Sequence, residues 1–279
     1  MKITFIGHLC RDVNIIDGVS HPMFGGGVFH NGMTAKGLGA RPTVLTRCTE
    51  ADVEPMTGAL VAAGVEVRVR PSAATTSIEN LYPDSDPDHR RSRLLARGGA
   101  FEARDVDTIQ ADAVHVNPLW HGEFPVDLLP ALRARVSLLG GDAQGFLRTA
   151  DGDGRLVLRD WADKARWMPL FDVFKADISE AEILTGTREI QPAAQALHAL
   201  GAREIVLTHG EGVCVYDGGT FHEEPFGTYS LAGRTGRGDT CSAAYLVGRS
   251  RLGVGDAAGF AARITSMKLQ YPGPFRGFG

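Results

Sequence analysis

The hydrophobic positions of this chain form short continuous runs that alternate with longer stretches of helical periodicity. Short apolar runs are typical of buried strands, and here they occupy 2–7, 43–47, 65–69, 113–116, 137–139, 173–176, 204–208 and 213–216. Apolar residues recur at helical spacing in the segments 28–38, 55–63, 126–136, 192–200 and 256–269. The alternation predicts an α/β fold, in which a central, mostly parallel sheet is flanked by helices.

One segment departs from this alternation. Two extended runs at 76–82 and 90–97 flank a loop at 83–89 that is rich in proline and aspartate. Such a pattern predicts a β-hairpin, and its polar, basic composition favours a flap on the surface. No linker or internal repeat divides the chain. We therefore expect a single domain over 1–279, with a small β-hairpin lid inserted around 74–98.

Three arginines near the second run of the hairpin suggest a use for the lid. Alternation of side chains along a strand puts Arg91 and Arg93 on one face and Arg90 on the other. Either one of these arginines contacts a polar or phosphorylated substrate, or all three belong to a solvated face. The exposed strand edges of such a lid also offer a surface for homodimer formation.

The stretch 233–241 places glycines and an aspartate just before a predicted helix. Glycines let backbone N–H groups surround a charged ligand, and a helix N-terminus adds N–H donors and partial positive charge. Such a loop is typical of an anion site, and phosphate is its common ligand. Asp239 is either the N-cap of the helix, a frequent role for aspartate, or a general base beside a phosphoryl group.

Composition narrows the class of ligand. The chain has 279 residues and a net charge of −4, which argues against a nucleic-acid-binding protein, since these usually carry a basic surplus. No apolar run reaches the ~18 residues of a membrane span, and the N-terminal run is too short for a signal peptide. We therefore expect no membrane partner and a cytoplasmic location. The P-loop motif is absent, and no GxGxxG follows the first strand, so neither common nucleotide fingerprint applies.

Four short motifs resemble, in order and spacing, those of the ribokinase (PfkB-type) carbohydrate kinases, and the resemblance covers nearly the whole chain. Residues 26–31 look like the family's GGxxxN segment, and 177–180 stand where it has NxxE. Residues 208–212 are similar to its TxGxxG nucleotide loop, and 235–240 to its TGAGD signature. Finer features, among them Asn117 followed by proline, look most like the myo-inositol kinase branch.

The resemblance implies a ribokinase-like fold and an ATP- and Mg²⁺-dependent kinase that phosphorylates a hydroxyl of a sugar, cyclitol or other small polyol. Asp239 would accept the proton of the acceptor hydroxyl, and Gly236, Arg237 and Gly238 would form the anion hole. Arg237 stands where the family usually has alanine, and it either reaches a phosphate or lies along the surface. Gly233 replaces an aspartate that the family links to a monovalent-cation site, so the resemblance does not extend to potassium activation.

The remaining site residues also come from the resemblance. The donor nucleotide would contact Asp177, Thr208, Gly210, Gly212 and Thr235. Glu180 would control Mg²⁺ through water, because Mg²⁺ keeps several waters in protein sites. The hydroxyls of the acceptor would be bound by Asp12, Gly26, Gly27, Asn31 and Gln144.

Two other functions stay open at this point. A nucleoside kinase uses the same scaffold, and a large aromatic pocket near the lid would favour it. The lid segment offers charge and few aromatic residues apart from Tyr82, which favours a polyol. The other alternative is a catalytically silent polyol-binding protein, against which the intact aspartate and glycines of the 235–240 motif argue.

Overall fold

The computed structural model describes residues 1–82, 90–227 and 233–278. The predicted loop of the lid at 83–89 lies outside the described residues. In this described part of the chain, no helix combines the length and the apolar character needed to cross a bilayer.

The structure has strands and helices in alternating order, as the apolar pattern predicted. The strands are β1 (Lys2–Ile6), β2 (Cys10–Ile16), β3 (Val19–Gly25), β4 (Arg41–Cys48), β5 (Glu66–Pro71), β6 (Ser77–Tyr82), β7 (Arg91–Ala96), β8 (Ala113–Val116), β9 (Leu138–Asp142), β10 (Arg148–Ala150), β11 (Leu156–Leu158), β12 (Val173–Asp177), β13 (Glu204–Thr208), β14 (Gly212–Tyr216) and β15 (Phe221–Pro225). The helices are α1 (Gly27–Gly37), α2 (Val53–Ala62), α3 (Ala103–Val106), α4 (Leu129–Arg133), α5 (Gln144–Leu147), α6 (Lys164–Trp167), α7 (Ile178–Thr185), α8 (Ile190–Ala199), α9 (Arg237–Arg249) and α10 (Val254–Leu269).

A nine-stranded sheet forms the centre of the molecule, in the order β15-β14-β13-β12-β9-β8-β1-β4-β5. The strands from β13 to β5 in this order are parallel to one another. Strand β14 pairs antiparallel with both β13 and β15. From β1 the chain first builds the sheet through β4 and β5, and then returns to the other side of β1 with β8. In open α/β sheets, the crevice at the carboxyl ends of the strands beside such a reversal is the usual ligand site.

Helices cover both faces of this sheet, because its strands are apolar on both sides. Alternate residues of β1 point to opposite faces. Ile3 and Phe5 belong to the hydrophobic core that includes residues of α1, α9 and α10. Ile6 belongs to the second core, on the face that includes residues of α4, α7 and α8. The result is a three-layer α/β/α architecture.

A separate four-stranded sheet has the order β3-β2-β6-β7. The antiparallel pair β6–β7 is the hairpin predicted from the sequence. The other two strands, β2 and β3, were not predicted and come from a region before α1, so the segment around 74–98 supplies only half of this sheet. The hairpin β10–β11 was also missed; it packs against β7, where the N–H of Leu94 donates to the carbonyl of Gly154 at 2.8 Å.

The helix predicted over 126–136 is shorter than its apolar pattern. A 3₁₀ turn at Val126–Leu128 precedes α4, which ends at Arg133. Pro130 near the start of α4 has no N–H to donate, which suits only the first turn of a helix. The guanidinium of Arg133 donates to the backbone carbonyl of Val136 at 2.7 Å, so a side chain holds the chain end where the prediction had placed helix.

Candidate active site

A cavity of about 300 Å³ opens at the carboxyl ends of β9, β12 and β13, between the large sheet and the small one. Most of the site residues predicted from the sequence line it, namely Asp12, Gly26, Gly27, Gln144, Asp177, Glu180, Thr208, Thr235, Gly236, Arg237, Gly238 and Asp239. The structure therefore brings together motifs that are far apart in the chain. Asn31, Gly210 and Gly212 are not part of this lining.

Asp239 is held in the cavity by two asparagines from other elements. The side-chain amide of Asn117, just after β8, donates to Oδ1 of Asp239 at 2.8 Å and to Oδ1 of Asn31 at 2.8 Å. The amide of Asn31, on α1, donates to the backbone carbonyl of Asp239 at 2.8 Å. Asn31 is fully buried, so the structure places it behind Asp239 and not against the space for a substrate.

The two glycines at the start of α1 are required for different physical reasons. Gly26 is the N-cap of α1 and has a φ of 106°, a conformation that residues with a β-carbon rarely adopt. Gly27 needs space, because a β-carbon there would lie 2.4 Å from Nδ2 of Asn117 and 2.6 Å from Oδ1 of Asp239. The pair therefore lets α1 start directly against the aspartate.

The glycine-rich loop ends in the N-terminus of α9. Gly236 is the N-cap with a φ of 77°, and the ring of His30 packs against it, so that a β-carbon on Gly236 would lie 2.3 Å from that ring. Asp239 is the third residue of α9. At this position the partial positive charge of the helix N-terminus stabilises a carboxylate.

A charged group beside this loop is Lys175 on β12, which sequence reasoning missed. Its Nζ lies 3.1 Å from Oδ2 of Asp142 and 3.7 Å from Oε2 of Glu180. It also lies 3.1 Å from the position that a β-carbon on Gly238 would take. Burial lowers the pKa of Lys175, but the surrounding carboxylates, Asp142 first, outweigh this and raise it above its ordinary value. The ammonium group is therefore charged at the anion loop.

Asp177 and Glu180 form a capping box at the start of α7. Oδ1 of Asp177 accepts from the N–H groups of Ser179 and Glu180 at 2.8 Å, and Oε2 of Glu180 accepts from the N–H of Asp177 at 2.7 Å. Such a cap typically stabilises a helix by ~1 kcal/mol. Burial, and next the charge of Asp177, raise the pKa of Glu180 to about 8. Glu180 is thus buried, and not a solvated helix residue.

At the other end of the cavity, Asp12 lies near two arginines. Burial raises the pKa of Asp12, while the Cys10 thiol, which donates to Oδ1 at 3.3 Å, and the charges of Arg148 and Arg90 act against this. Burial, and then the like charge of Arg90, lower the pKa of Arg148 to about 10. Of the three hairpin arginines, Arg90 lines the cavity.

The small sheet contributes a polar pair to the same end. The hydroxyl of Ser92 on β7 donates to Oδ1 of Asn80 on β6 at 2.8 Å, and the amide of Asn80 donates to Asn14 at 3.1 Å. Asn80 lines the cavity. Tyr82 is the one aromatic residue of phenylalanine, tyrosine or tryptophan type among the described residues of the lining.

The predicted nucleotide loop is only partly at the cavity. Thr208, the last residue of β13, lines it, whereas Gly210 and Gly212 do not. Position 212 requires glycine for a structural reason, because a β-carbon there would lie 2.4 Å from the carbonyl oxygen of Glu224. This glycine allows β14 to approach β15 closely.

The sequence allows two positions for Arg237, at a phosphate or along the surface. It lines the cavity, and its guanidinium carbon lies 5.9 Å from the centre of the Phe226 ring, within the range of a cation–π contact. Arg237 therefore adds positive charge to the anion loop together with Lys175.

Sequence reasoning missed the functional positions of Asn117, Lys175 and Arg148. Asn117 follows a strand beside the sheet reversal, which is a signal that could have been used. Lys175 interrupts an otherwise apolar buried strand, and a lysine is rarely buried without a partner. We find no sequence signal for Arg148, whose position depends on the unpredicted β10.

Comparisons with known proteins identify the family to which this chain is similar. The sequence profile of the pfkB family carbohydrate kinases matches residues 144–276. The cytidine kinase of Thermococcus kodakarensis is 40% identical over 222 residues, which are 67% of this chain and 80% of that protein.

Two solved structures are similar over nearly the whole chain. A pyrophosphate-dependent kinase in the ribokinase family, complexed with a pyrophosphate analog and myo-inositol, is 44% identical with a TM-score of 0.92, over 98% of this chain and 97% of that one. A pyrophosphate-dependent myo-inositol-1 kinase, converted into a myo-inositol-3 kinase by replacing one asparagine and one serine with leucine, is 43% identical with a TM-score of 0.92, over 98% and 95%. This chain belongs to the PfkB family of carbohydrate kinases and has the ribokinase-like fold that its motifs predicted.

Proposed function

We propose that this protein transfers a phosphoryl group from pyrophosphate to a hydroxyl group of a cyclitol of the myo-inositol type. The observation that carries the proposal is the position of Asp239, which stands at the N-terminus of α9 in the cavity and is fixed by Asn117 and Asn31. The N-terminus of α9 stabilises the Asp239 carboxylate, but that carboxylate repels an anionic ligand bound beside it. A role as the general base would account for a carboxylate at this position. The likeness to two pyrophosphate-dependent kinases supports the choice of donor and acceptor.

In this reaction Asp239 takes the proton of the acceptor hydroxyl. At the same time the hydroxyl oxygen of the acceptor forms a bond to the transferred phosphorus, and the bond between this phosphorus and the leaving phosphate breaks. The N–H groups around Gly236 and Gly238 face the charge on the phosphoryl oxygens. The ammonium of Lys175 and the guanidinium of Arg237 compensate the charge of the donor. Phosphoryl transfer depends mainly on such positioning and charge stabilisation.

Pyrophosphate, in place of the ATP implied by the family resemblance, is supported by the shape of the cavity. Among the described residues, its lining includes Thr208 but neither Gly210 nor Gly212, the two glycines expected to border an adenosine. A donor without a nucleoside must be bound through its phosphates alone. The basic residues Lys175, Arg234 and Arg237, all in the lining, meet this requirement, because charge-assisted contacts to phosphate are strong.

Mg²⁺ fits the carboxylates at the donor end. Asp177 and Glu180 line the cavity, and a bound cation would favour the charged form of Glu180 over the neutral form that burial favours. Two acidic side chains suit Mg²⁺, which is usually bound through one or two carboxylates, waters and substrate phosphates. When bound, it would shield the charge of the donor.

The acceptor end fits a ring with many hydroxyls. Asp12, Asn80, Gln144 and Arg148 offer both hydrogen-bond donors and acceptors. We propose that Asn80, which lines the cavity, orients the acceptor and that Ser92, which donates to Asn80, positions it. In the similar myo-inositol-1 kinase, exchange of one asparagine and one serine for leucine gives a myo-inositol-3 kinase. The small sheet would act as a lid whose closure excludes water and so limits hydrolysis of the donor.

A nucleoside kinase is the second candidate, favoured by the similarity to a cytidine kinase. A nucleobase needs an aromatic or apolar slot; the described lining offers Tyr82 and the apolar side chains of Met23, Ile78 and Leu119, but it also contains several charged groups. A catalytically silent binding protein is less consistent with the fixed carboxylate at Asp239.

The test is a matrix of two donors and several acceptors. Purified protein with Mg²⁺ receives pyrophosphate or ATP, and myo-inositol, ribose, fructose or cytidine, and phosphate esters are detected by ³¹P NMR. We expect ester formation from pyrophosphate and myo-inositol. Turnover with ATP but not with pyrophosphate would show that the donor is a nucleotide. Turnover of cytidine and of no other acceptor would favour the nucleoside kinase. Binding of myo-inositol without turnover would favour the silent binding protein.

A further inference from the structure

The last turn of α10 directs a buried cation at the loop before α9. The side chain of Lys268 has no solvent exposure. Its Nζ donates hydrogen bonds to the backbone carbonyls of Gly233 and Thr235. No motif included this residue, which follows Thr235 by 33 positions.

Gly233 makes the contact possible. A β-carbon there would lie 2.2 Å from the carbonyl oxygen of Leu269, so the backbone of the loop runs directly against the end of α10. A larger residue would push the loop away from the helix and its carbonyls away from Lys268. The glycine that departs from the family pattern and the buried lysine therefore form one structural unit.

The contact orients the phosphate loop. In a trans peptide the C=O and N–H groups point to opposite sides. Because the carbonyl of Thr235 accepts from Lys268, the N–H of Gly236 in the same peptide points to the other side of the loop. Gly236 itself lines the cavity, so the lysine contact directs this N–H away from α10 and makes it available to an anion.

The charge of Lys268 also acts on the residues of the site. Burial lowers the pKa of Lys268 to about 8, and the carboxylate of Asp239 acts in the opposite direction. Near neutral pH the ammonium group therefore remains mostly protonated. A positive charge coordinated by backbone carbonyls is the arrangement in which proteins commonly hold a dissolved monovalent cation.

We propose that Lys268 is an internal cation that holds the 233–239 loop in its anion-binding conformation and makes phosphoryl transfer by this protein independent of dissolved monovalent cations. The inference rests on the proposed function and adds the origin of the loop's orientation. Lys268 is a positioning residue, because it acts through the carbonyls of Gly233 and Thr235 and contacts neither donor nor acceptor.

The first test is the cation dependence of the unmodified protein. Turnover is measured with K⁺, Na⁺ or tetramethylammonium at equal ionic strength and constant Mg²⁺. We expect the same kcat in all three, because the internal ammonium group already occupies the carbonyl cradle. A kcat that requires K⁺ would overturn the inference.

The second test removes the charge. Lys268→Met keeps an apolar stem, and kcat should fall on the order of 100-fold, the loss typical of one misplaced oxyanion donor, with the acceptor KM little changed. Lys268→Ala leaves space, and added NH₄⁺ should restore part of its kcat. A purely structural lysine would show no such rescue.

Lys36→Met is the matched control, since Lys36 also lies in the last turn of a helix but is exposed; its kcat should equal that of the unmodified protein. A normal kcat in Lys268→Met, or a Lys268→Ala variant that ignores NH₄⁺, would contradict the inference. If the Lys268 variants fail to fold, the cation series of the unmodified protein decides alone.

Pyrophosphate binding, measured by calorimetry, separates this inference from the proposed function. Lys268→Met should bind pyrophosphate more weakly than the unmodified protein and Lys36→Met do. Equal affinities would sink the inference and leave the proposed function standing. A weaker affinity without turnover of any acceptor would support the inference about the loop and reject the proposed reaction.

Discussion

Asp239 reaches the cavity because its neighbours either lack side chains or hold it by hydrogen bonds. Gly27 has no room for a β-carbon beside Oδ1 of Asp239. Asn117 donates to that same oxygen across 122 residues of sequence. The other oxygen is not used by this amide, so the carboxylate can both stay in place and accept a proton. At the residue scale, the site is thus an aspartate whose orientation is set by its surroundings.

Replacing this carboxylate gives the most direct test of its role. Asp239→Asn keeps the size of the side chain but removes the base, and we expect kcat to fall by ~10²–10⁴, the usual contribution of a general base. Pyrophosphate binding should persist, because the loop donors are unchanged. The measurements are initial rates and calorimetry with the same protein preparation.

Asp256→Asn is the control, since Asp256 is also an acid in the first turn of a helix, the adjacent α10. It does not line the cavity, and its kcat should be normal. A kcat of Asp239→Asn close to that of Asp256→Asn would remove Asp239 as the base.

At the element scale, three helices begin at the cavity. Gly26, Asp177 and Gly236 are the N-caps of α1, α7 and α9, and all three line the cavity. The partial positive charges of three N-termini therefore converge on one space, which favours an anionic ligand. This convergence would offset the repulsion between the proposed phosphate donor and the carboxylates of the cavity.

Arg90, directly before β7, is the hairpin arginine placed to reach the proposed acceptor. Alternation was expected to separate Arg90 from Arg91; both are exposed, but Arg90 lines the cavity and Arg91 does not. Arg90→Ala should raise the acceptor KM, because a hydrogen-bonding cation is lost near Asp12. The measurement is a steady-state titration with myo-inositol.

Arg91→Ala is the matched control, one residue away on the opposite face, and its acceptor KM should not change. An acceptor KM of Arg90→Ala equal to that of the unmodified protein would show that Arg90 does not contact the acceptor. A kcat effect without a KM effect in Arg90→Ala would place its role in lid closure.

The elements that could be predicted are those whose pattern reports burial. Most parallel strands of the large sheet are short runs of mainly apolar residues, and the prediction of these strands is confirmed. Strands β2 and β3 were missed because they have no such pattern: β3 exposes all but its last residue and contains Pro22. β10 and β11 have three residues each, which is too short for a period to appear.

The site divides in the same way. Gly236 and Asp239 lie within one continuous motif, which a sequence displays directly. Asn117, Lys175 and Lys268 act through contacts with residues that are distant in the chain, and such contacts depend on the packing of several elements. Local pattern therefore predicted the residues of the candidate site, and tertiary structure was needed to find the residues that hold Asp239 and its loop in position.

At the scale of the whole molecule, the cavity lies where two sheets meet. The large sheet supplies strand ends and helix N-termini, and the small sheet supplies Asp12 and Asn80, with Arg90 directly before β7. The proposed donor end thus lies at the large sheet, and the small sheet contributes to the proposed acceptor end. Movement of the small sheet would change access of the acceptor without disturbing the anion loop.

The small sheet has an open edge that favours association of two copies. β3 is its outer strand, and its apolar residues Val19, Met23 and Phe24 are 56%, 41% and 43% exposed. Exposed apolar edge strands readily pair with another chain. We therefore predict a homodimer through the small sheet, with a mass in solution of twice 29.8 kDa by light scattering.

Val19→Lys should shift this dimer toward the monomer, because a charge on an edge strand opposes pairing. Val61→Lys is the control, since Val61 on α2 is 58% exposed, comparable to Val19, and belongs to another surface; this variant should stay dimeric.

Met23 of β3 also lines the cavity, so pairing at β3 would fix part of the proposed acceptor site. The monomeric Val19→Lys variant should accordingly have a raised acceptor KM, and a dimer that survives this substitution would mean that the two copies associate through a different face.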